Sequence, residues 1–369
     1  MRILTIVLLA LLTAGCSSLQ SSAPPQAQTR SYNGTASVGD FMNITLDIAA
    51  QTLSYTNLSN GDTGTVPYTL NADGTYTLND PAGNLVAAYE IPGYAMLVAA
   101  EKTGADHATP SLITAVAESQ VTIGTFENSA YNYMQFRTAA GGFEAGSATL
   151  DAQGDVSISS YWPYGATMQG SSPFNGGTMP GTNFSEDSSG TFIRMTDTGP
   201  GGAPSTDYVF GTSQGIFIVD TPNGAILSLK KAASKNFDPT YAGTYKALFY
   251  QKTGVTTGMN NVETGNPSLG DASMVIDAQG NVTVQSSQGN TVLAGTLMPV
   301  ADVPYLYGSQ GELTDPCYGL FTFRISTGQS QQDVFVSFLN RAVLFSSFRT
   351  ALPLNPSNTY DYLYGVALK

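Results

Sequence analysis

The feature that most constrains the fold of this chain is a strand-turn-strand unit that occurs three times. In each copy an alternating run ends at an aspartate, a turn follows, and a second alternating run begins. The aspartates are Asp47, Asp151 and Asp277, and the strands after the turns contain TLSYTN, DVSISS and NVTVQS. Alternating residues around an Asp-, Asn- or Gly-containing turn predict an antiparallel hairpin. Its repetition predicts related modules.

Other markers surround this hairpin in a constant order. A strand containing tyrosine precedes each copy and occurs once more near the C-terminus, at Tyr32, Tyr131, Tyr245 and Tyr360. An aromatic strand follows each copy, at residues 74–77, 190–193 and 320–323. Because no module follows the fourth tyrosine strand, we expect it to pair with the third module and cover an edge that would otherwise promote aggregation.

These patterns predict an all-β fold of three related antiparallel β modules, each a small barrel or sandwich. We place module 1 at residues 32–119, module 2 at 120–235, and module 3, with its C-terminal closing strand, at 236–369. No capped run of helical periodicity occurs after the first residues. The longest irregular insert covers residues 163–189, and inserts of this length are usually functional or disordered.

The N-terminus has the pattern of a signal peptide over residues 1–15. Arg2 precedes the apolar run ILTIVLLALL, which is too short to span a bilayer as a mature helix. The next residues, LTAGC, end at Cys16 and resemble the lipobox of bacterial lipoproteins. The resemblance implies cleavage before Cys16, lipid on its thiol, and acylation of the new amino group with a fatty acid such as palmitate. Ser17 at the following position implies sorting to the outer membrane.

Residues 16–31 are predicted to form a flexible tether that begins with the lipidated Cys16. After the cysteine the stretch reads SSLQSSAPPQAQTRS, a polar composition that cannot bury a core. Two or three acyl chains hold a protein stably at a membrane. The membrane is therefore a predicted partner, reached through the N-terminal lipid. The alternative is an ordinary secretory signal that releases a soluble periplasmic protein.

Composition disfavours several classes of partner and site. The chain has 27 acidic and 14 basic side chains and a net charge of -13, so it cannot assemble the basic patch that nucleic acid requires. One histidine and two cysteines cannot make the usual zinc ligand set. We therefore predict no metal and no cofactor, and expect Cys317 to be a small buried residue. Calcium at the Asp-Gly turns is the alternative, although no complete EF-hand loop is present.

No catalytic residue is predicted. Residues 211–215, GTSQG, fit the nucleophile elbow of hydrolases, but that elbow needs a following helix and a histidine after the serine. Paired carboxylates could hydrolyse glycosides if they faced one cleft. The pairs closest in sequence are Asp151 with Asp155 and Glu186 with Asp187, and both are expected at turns.

The best candidate for ligand binding is the aromatic group Tyr161, Trp162 and Tyr164 beside the long insert. Aromatic rings next to polar loops form surfaces on which sugars and protein partners bind. The alternative is that Trp162, the only tryptophan, fills the module core.

Together these features predict a lipid-anchored lipoprotein of the cell envelope, non-enzymatic, with a binding or structural role and a possible protein or glycan partner. Its architecture is similar to that of surface lipoproteins carrying small lipid-anchored β-barrels, such as transferrin-binding and factor H-binding lipoproteins. No binding motif is shared, so the resemblance implies no particular partner. The alternatives are a surface-anchored β-fold polysaccharide hydrolase and a structural envelope component.

Overall fold

The computed structural model describes residues 29–83, 85–103, 109–137, 143–164, 177–197, 205–222, 224–257, 263–303, 306, 315–352 and 359–369. These residues form three antiparallel sheets, and no α-helix occurs among them. The predicted all-β fold of three related antiparallel modules is confirmed. Single 3-10 turns lie at Ile123–Thr125, Gly181–Asn183, Pro239–Tyr241 and Val300–Asp302. No helix within the described ranges is long and apolar enough to cross a membrane.

Module 1 is a closed eight-stranded barrel. Its strands are β1 (Thr29–Ala36), β2 (Phe41–Asp47), β3 (Thr52–Asn57), β4 (Thr63–Leu70), β5 (Thr75–Leu78), β6 (Leu85–Ile91), β7 (Ala95–Thr103) and β8 (Thr109–Ala117). Each strand pairs with the next, and β8 returns to β1. Residues 29–31 belong to β1 and not to the predicted tether, because they pair with β2. The predicted signal peptide and Cys16 lie outside the described residues.

Module 2 is a nine-stranded sheet in the order β12-β11-β10-β9-β17-β16-β15-β14-β13. Its strands are β9 (Ser129–Arg137), β10 (Phe143–Leu150), β11 (Val156–Tyr164), β12 (Thr178–Met179), β13 (Phe184–Glu186), β14 (Ile193–Asp197), β15 (Ser205–Thr212), β16 (Ile216–Thr221) and β17 (Gly224–Lys230). The first and last long strands, β9 and β17, pair at the centre.

Module 3 repeats this plan in the order β21-β20-β19-β18-β26-β25-β24-β23-β22. Its strands are β18 (Gly243–Thr257), β19 (Glu263–Ile276), β20 (Asn281–Ser286), β21 (Thr291–Thr296), β22 (Met298–Pro299), β23 (Leu320–Ser326), β24 (Ser330–Leu339), β25 (Ala342–Ala351) and β26 (Tyr360–Leu368). The fourth tyrosine strand is β26, which lies between β18 and β25. The module boundaries given in the sequence analysis remain predictions of where each independently folding unit begins and ends.

A seam distinguishes modules 2 and 3 from the closed barrel. In module 1 the fourth and fifth strands, β4 and β5, pair and complete the ring. In module 2 the two edge strands of the sheet are β12 and β13, and in module 3 they are β21 and β22. In neither module do these two edge strands pair with each other. Both modules are therefore barrels that the described strands leave open at the same place.

The repeated aspartates lie where the second strand of each module ends: Asp47 is the last residue of β2, and Asp151 and Asp277 directly follow β10 and β19. The side chain of each accepts a backbone N–H from its own turn: Asp47 from Ala50 at 2.8 Å, Asp151 from Gln153 at 2.8 Å, and Asp277 from Gln279 at 2.9 Å. Near the end of each turn one residue is left-handed, with φ of 53° at Gln51, 76° at Gly154 and 82° at Gly280. At Asp151 and Asp277 this is the Asx turn, a bond to the backbone two residues on, and Asp47 makes a similar bond three residues on.

The outer faces of the three modules pack against one another in one hydrophobic cluster. Phe41 of module 1 stacks on Tyr208 of module 2, and Phe136 of module 2 stacks on Tyr364 of module 3. Strands at these contacts are therefore buried on both faces, one toward the lumen of their own module and one toward a neighbouring module.

Candidate functional site: a chamber inside module 2

The lumen of module 3 is filled by aromatic side chains. Three phenylalanine rings lie so close over glycines that a Cβ on the glycine would overlap them: Phe249 over Gly270, Phe323 over Gly295, and Phe345 over Gly365. All three rings are buried in the core of that module. Close packing of this kind fills the space around these three rings.

Smaller side chains occupy the same three positions in module 2. Ser129 lies opposite Leu150 at the start of β9 as Gly243 lies opposite Ile276 at the start of β18, so Gln135 stands where module 3 has Phe249. The strand pairings carry this correspondence around both sheets. They place Val219 at the position of Phe345, and Met195 at the position of Phe323.

A cavity of about 330 Å³ results inside module 2. Its apolar walls are Ala148, Leu150, Val156, Ile158, Met179, Phe184, Met195, Phe217, Val219 and Ile226. Residues of the two seam strands, Met179 of β12 and Phe184 of β13, are among them, so the chamber borders the unpaired edge. This volume lies within the range of small-molecule sites.

Polar residues of the chamber lie on β9 and β10, and Ser228 of β17 and Thr178 of β12 also line it. Gln135 and Glu144 are paired residues of the ladder, and the hydroxyl of Tyr133 donates to the Glu144 carboxylate. Burial, and next the negative charge of Glu144, raise the pKa of Tyr133 well above its usual value. The phenol therefore stays protonated and keeps donating to Glu144 at neutral pH.

The lumen of module 1 contains a buried network of hydrogen bonds around Glu90. Glu90 is 5% exposed and accepts hydrogen bonds from the hydroxyls of Tyr32 and Tyr76, each at 2.5 Å. It also pairs with Arg30. A buried carboxylate satisfied by three donors fills this lumen with a polar network.

The structure places the three predicted binding residues differently. Tyr161 is paired with Gly146, on the face of β11 that is turned to the lumen, and it interacts electrostatically with Tyr133. Trp162 is fully buried on the opposite face, where its indole N–H donates to the carbonyl of Leu306 at 3.1 Å. Tyr164 ends β11, and its side chain lies outside the described residues. Ligand binding by these three residues remains a prediction.

Trp162 lies in the packing between modules 2 and 3. Its ring centroid is 6.0 Å from that of Phe335 on β24. The ring is part of the cluster shared by the three modules, so it is separated from the chamber by its own strand.

The other sequence motifs have structural roles. Residues 211 and 212 end β15 and residues 213–215 form the turn to β16, so a strand follows Ser213 where a nucleophile elbow has a helix. Asp151 accepts the backbone N–H of Asp155 at 3.0 Å within its hairpin turn. Asp187 pairs with Arg194 at 2.9 Å. No group of three or more His, Cys, Asp or Glu side chains in the described ranges could hold a metal.

A buried acidic cluster lies between modules 1 and 2. Asp40, Asp207 and Asp220 are 8%, 4% and 2% exposed. The hydroxyl of Thr35 donates to Asp220. Burial, opposed by the bond from Thr35, raises the pKa of Asp220 well above its usual value, and the charges of Asp40 and Asp207 raise it further. These carboxylates lie in an interface that a polysaccharide chain cannot enter.

Sequence reasoning missed the chamber residues Gln135, Glu144 and Val219. The one available signal was a comparison of modules 2 and 3 position by position from Tyr131 and Tyr245, which puts a glutamine where the other copy has a phenylalanine. That comparison needs the strand register, which the sequence does not supply.

No family model matches the sequence, and no curated protein matches it. Solved structures of transferrin binding protein B do match. A double mutant of this vaccine antigen from Haemophilus parasuis Hp5 shares 8% identity at a TM-score of 0.24, and the match covers 93% of this chain and 76% of the other. The isotype 1 protein from serogroup B Neisseria meningitidis also shares 8% identity at 0.24, with 90% and 66% covered. TM-scores this low carry no inference about function.

Proposed function

We propose that this chain is a lipoprotein anchored to the outer membrane through Cys16, and that it binds a small, largely apolar ligand in the module 2 chamber without transforming it. The tether, which ends before β1 at residue 28, would hold the three modules at the membrane. The lipid is the proposed link to the membrane, and the chamber is the proposed ligand site.

The chamber carries the binding part of this proposal. Barrels of about eight strands are just wide enough either to be filled by side chains or to hold one small ligand. Module 3 is of the filled kind, with Phe249, Phe323 and Phe345 in its lumen. Module 2 has the same strand plan, yet about 330 Å³ of its lumen is open. A largely apolar wall with a few polar groups is the usual composition of a small-molecule site.

A polysaccharide hydrolase fits the geometry less well. Glycoside hydrolysis uses two carboxyl groups that face one cleft. Among the described residues that line the chamber, Glu144 is the one carboxylate, and it accepts the Tyr133 hydroxyl. The acidic cluster around Asp220 is buried between modules. Neither arrangement offers a pair of accessible carboxylates.

Binding is tested by titrating the mature protein with an apolar dye that fluoresces when it leaves water, N-phenyl-1-naphthylamine. We expect saturable binding with about one site per chain, because modules 1 and 3 have filled lumens. Displacement of the dye by decanol would show that the site accepts small apolar molecules. Absence of saturable binding would refute the proposed chamber function.

The anchor is tested separately by growing the expressing bacterium with an alkyne analogue of palmitate. We expect the wild-type chain to be labelled and recovered with the outer membrane. Cys16→Ala should be unlabelled. Equal labelling of both proteins would contradict lipid attachment at this residue, and it would leave the binding result unaffected.

A further inference from the structure

The chamber of module 2 is long and narrow. Its lining on β10 runs from Glu144 to Leu150, six residues along the strand, or about 20 Å at ~3.4 Å per residue. Because barrel strands tilt by ~35–45°, the chamber extends about 15 Å along the barrel axis. Its volume of about 330 Å³ over that length corresponds to a channel about 5 Å across. Non-bonded carbon atoms lie ~3.5–4.0 Å apart, so this width takes one alkyl chain and not two side by side.

The end of the chamber at Leu150 is closed by apolar side chains. Leu150, Phe184 and Phe217 line the chamber, and the same three residues line a second cavity of about 10 Å³ beyond it. They therefore separate the two spaces and form the floor of the chamber. The second cavity has about the least volume that one water molecule needs, so it is too small to take any part of a ligand.

The floor is supported by the packing beneath it. The ring of Phe217 contacts those of Phe126 and Tyr131, with centroid distances of 4.9 Å and 5.3 Å. Phe126 is buried and directly follows the 3-10 turn that begins at Ile123. That turn is itself packed closely, since a Cβ on Gly154 would lie 2.8 Å from the Ile123 side chain. The floor therefore cannot move toward the second cavity without disrupting these contacts.

We infer that the ligand of the chamber carries a single apolar chain of about ten carbons, and that Leu150, Phe184 and Phe217 set this length. The inference rests on the proposed binding function of the chamber. A volume of about 330 Å³ holds about eleven non-hydrogen atoms at ~30 Å³ each, the number in decanol. Carbons beyond this number find no apolar space at the floor.

The test is a chain-length series on the wild-type mature protein, in which linear primary alcohols from butanol to tetradecanol displace N-phenyl-1-naphthylamine. The hydroxyl group is constant, so differences within the series report the chain alone. While the chain fits, each added methylene should lower the displacing concentration about fourfold, the factor for burying one CH2. Beyond decanol the gain should fall to less than about 1.5-fold per methylene, because the added carbons are not buried. This series needs no variant to fold.

Variants at the floor then assign the limit to Leu150. Leu150→Ala removes three carbons, so the fourfold gains should continue to about thirteen carbons. Leu150→Phe adds three carbons and should move the limit to about seven, which provides a second variant if Leu150→Ala does not fold.

The matched control is Ile276→Ala. Ile276 has the position of Leu150 in module 3, where aromatic rings fill the lumen, and its replacement also removes three carbons. It should keep the wild-type limit. Circular dichroism identifies which variants are folded.

Three results would overturn the inference. Fourfold gains that continue through tetradecanol in the wild type, or that end below octanol, would refute the ten-carbon limit and leave the chamber function standing. A limit that stays at decanol in the folded Leu150 variants would refute the role of the floor. Absence of saturable dye binding would refute the chamber function and this inference together.

Discussion

Gln135 in module 2 occupies the register position that Phe249 occupies in module 3. The two residues lie in equivalent strand pairs of their modules. Gln135 pairs with Glu144 of the second strand, and Phe249 pairs with Gly270. In module 3 the ring covers the glycine and fills the lumen. In module 2 two polar side chains stand at that place and leave space beside them. One fold thus gives a filled and an open lumen by substitution at matched positions.

Filling the chamber should abolish ligand binding. Val219→Phe places a ring where module 3 has Phe345, and we expect at least about a tenfold loss of dye affinity. Because Ile226 stands opposite Val219 where Gly365 stands opposite Phe345, the ring cannot cover its neighbour as Phe345 does and must turn into the chamber, so unfolding free energy should fall by no more than ~1–3 kcal/mol, the cost of overpacking. Dye titration and urea unfolding measure the two quantities.

The matched control is Val275→Phe, the same change at a residue that is 45% exposed on module 3. It should bind the dye like the wild type. If Val219→Phe also bound like the wild type, the dye site would lie elsewhere.

Opening the lumen of module 3 should be costly. Phe345 is fully buried and packs over Gly365, so Phe345→Ala removes a ring from a close-packed core. We expect a loss of ~3–5 kcal/mol in unfolding free energy. Val219→Ala at the matched position should cost less than about 2 kcal/mol, because two methyl groups contribute ~0.8 kcal/mol each. Equal costs in urea unfolding would mean that both lumens are packed alike.

The general fold could be predicted because its signals are local. The turn at Asp277 and the alternation on both sides of it specify a hairpin without any information about distant residues. Three copies of such a hairpin, each after a tyrosine strand, were enough to indicate three antiparallel modules. The closed ring in module 1 and the seams in modules 2 and 3 depend on which distant strands pair, and no local signal reports that.

The site could not be predicted because the sequence does not show which face of each strand lines the lumen. Alternation identifies a lumen only when the other face meets solvent. In module 2 the other face is buried too, and Phe136 and Trp162 are among the buried residues on it. A shift of one residue exchanges the faces. Tyr161 and Trp162 are neighbours in sequence, yet one faces the lumen and the other packs against module 3.

Trp162 should stabilise the contact between modules 2 and 3. Trp162→Ala removes a fully buried indole and leaves the carbonyl of Leu306 without this donor, so we expect a loss of ~3–5 kcal/mol. Leu58→Ala, at a residue that is 37% exposed, should change stability by less than about 0.5 kcal/mol. Urea unfolding followed by circular dichroism measures both.

The same residue provides a spectroscopic test, since it is the only tryptophan. Its emission in the folded protein should be blue-shifted and resistant to quenching by iodide, and unfolding should remove both properties. A red-shifted, readily quenched emission from the folded protein would contradict the buried position of Trp162.

The acidic cluster should make the protein less stable as the pH rises. The pKa of Asp220 is raised in the folded state by burial and by Asp40 and Asp207, against an ordinary value of 3.8. The folded state therefore binds this proton more tightly than the unfolded state. The stabilisation is fully present below the ordinary pKa, and it is lost as the pH rises through the folded value.

Asp220→Asn should remove this dependence, because an amide is uncharged and its oxygen can still accept from Thr35. We expect the variant to be more stable than the wild type near neutral pH by ~1–3 kcal/mol, the cost of an incompletely compensated buried group. At pH about 4, near the ordinary pKa of aspartate, the two proteins should differ little. Asp302→Asn, at a half-exposed side chain paired with Lys235, is the control and should leave the slope unchanged. Urea unfolding between these pH values decides the question: a wild-type stability that increases with pH, and that Asp220→Asn abolishes, would mean that the carboxylate is ionised and stabilising in the interface.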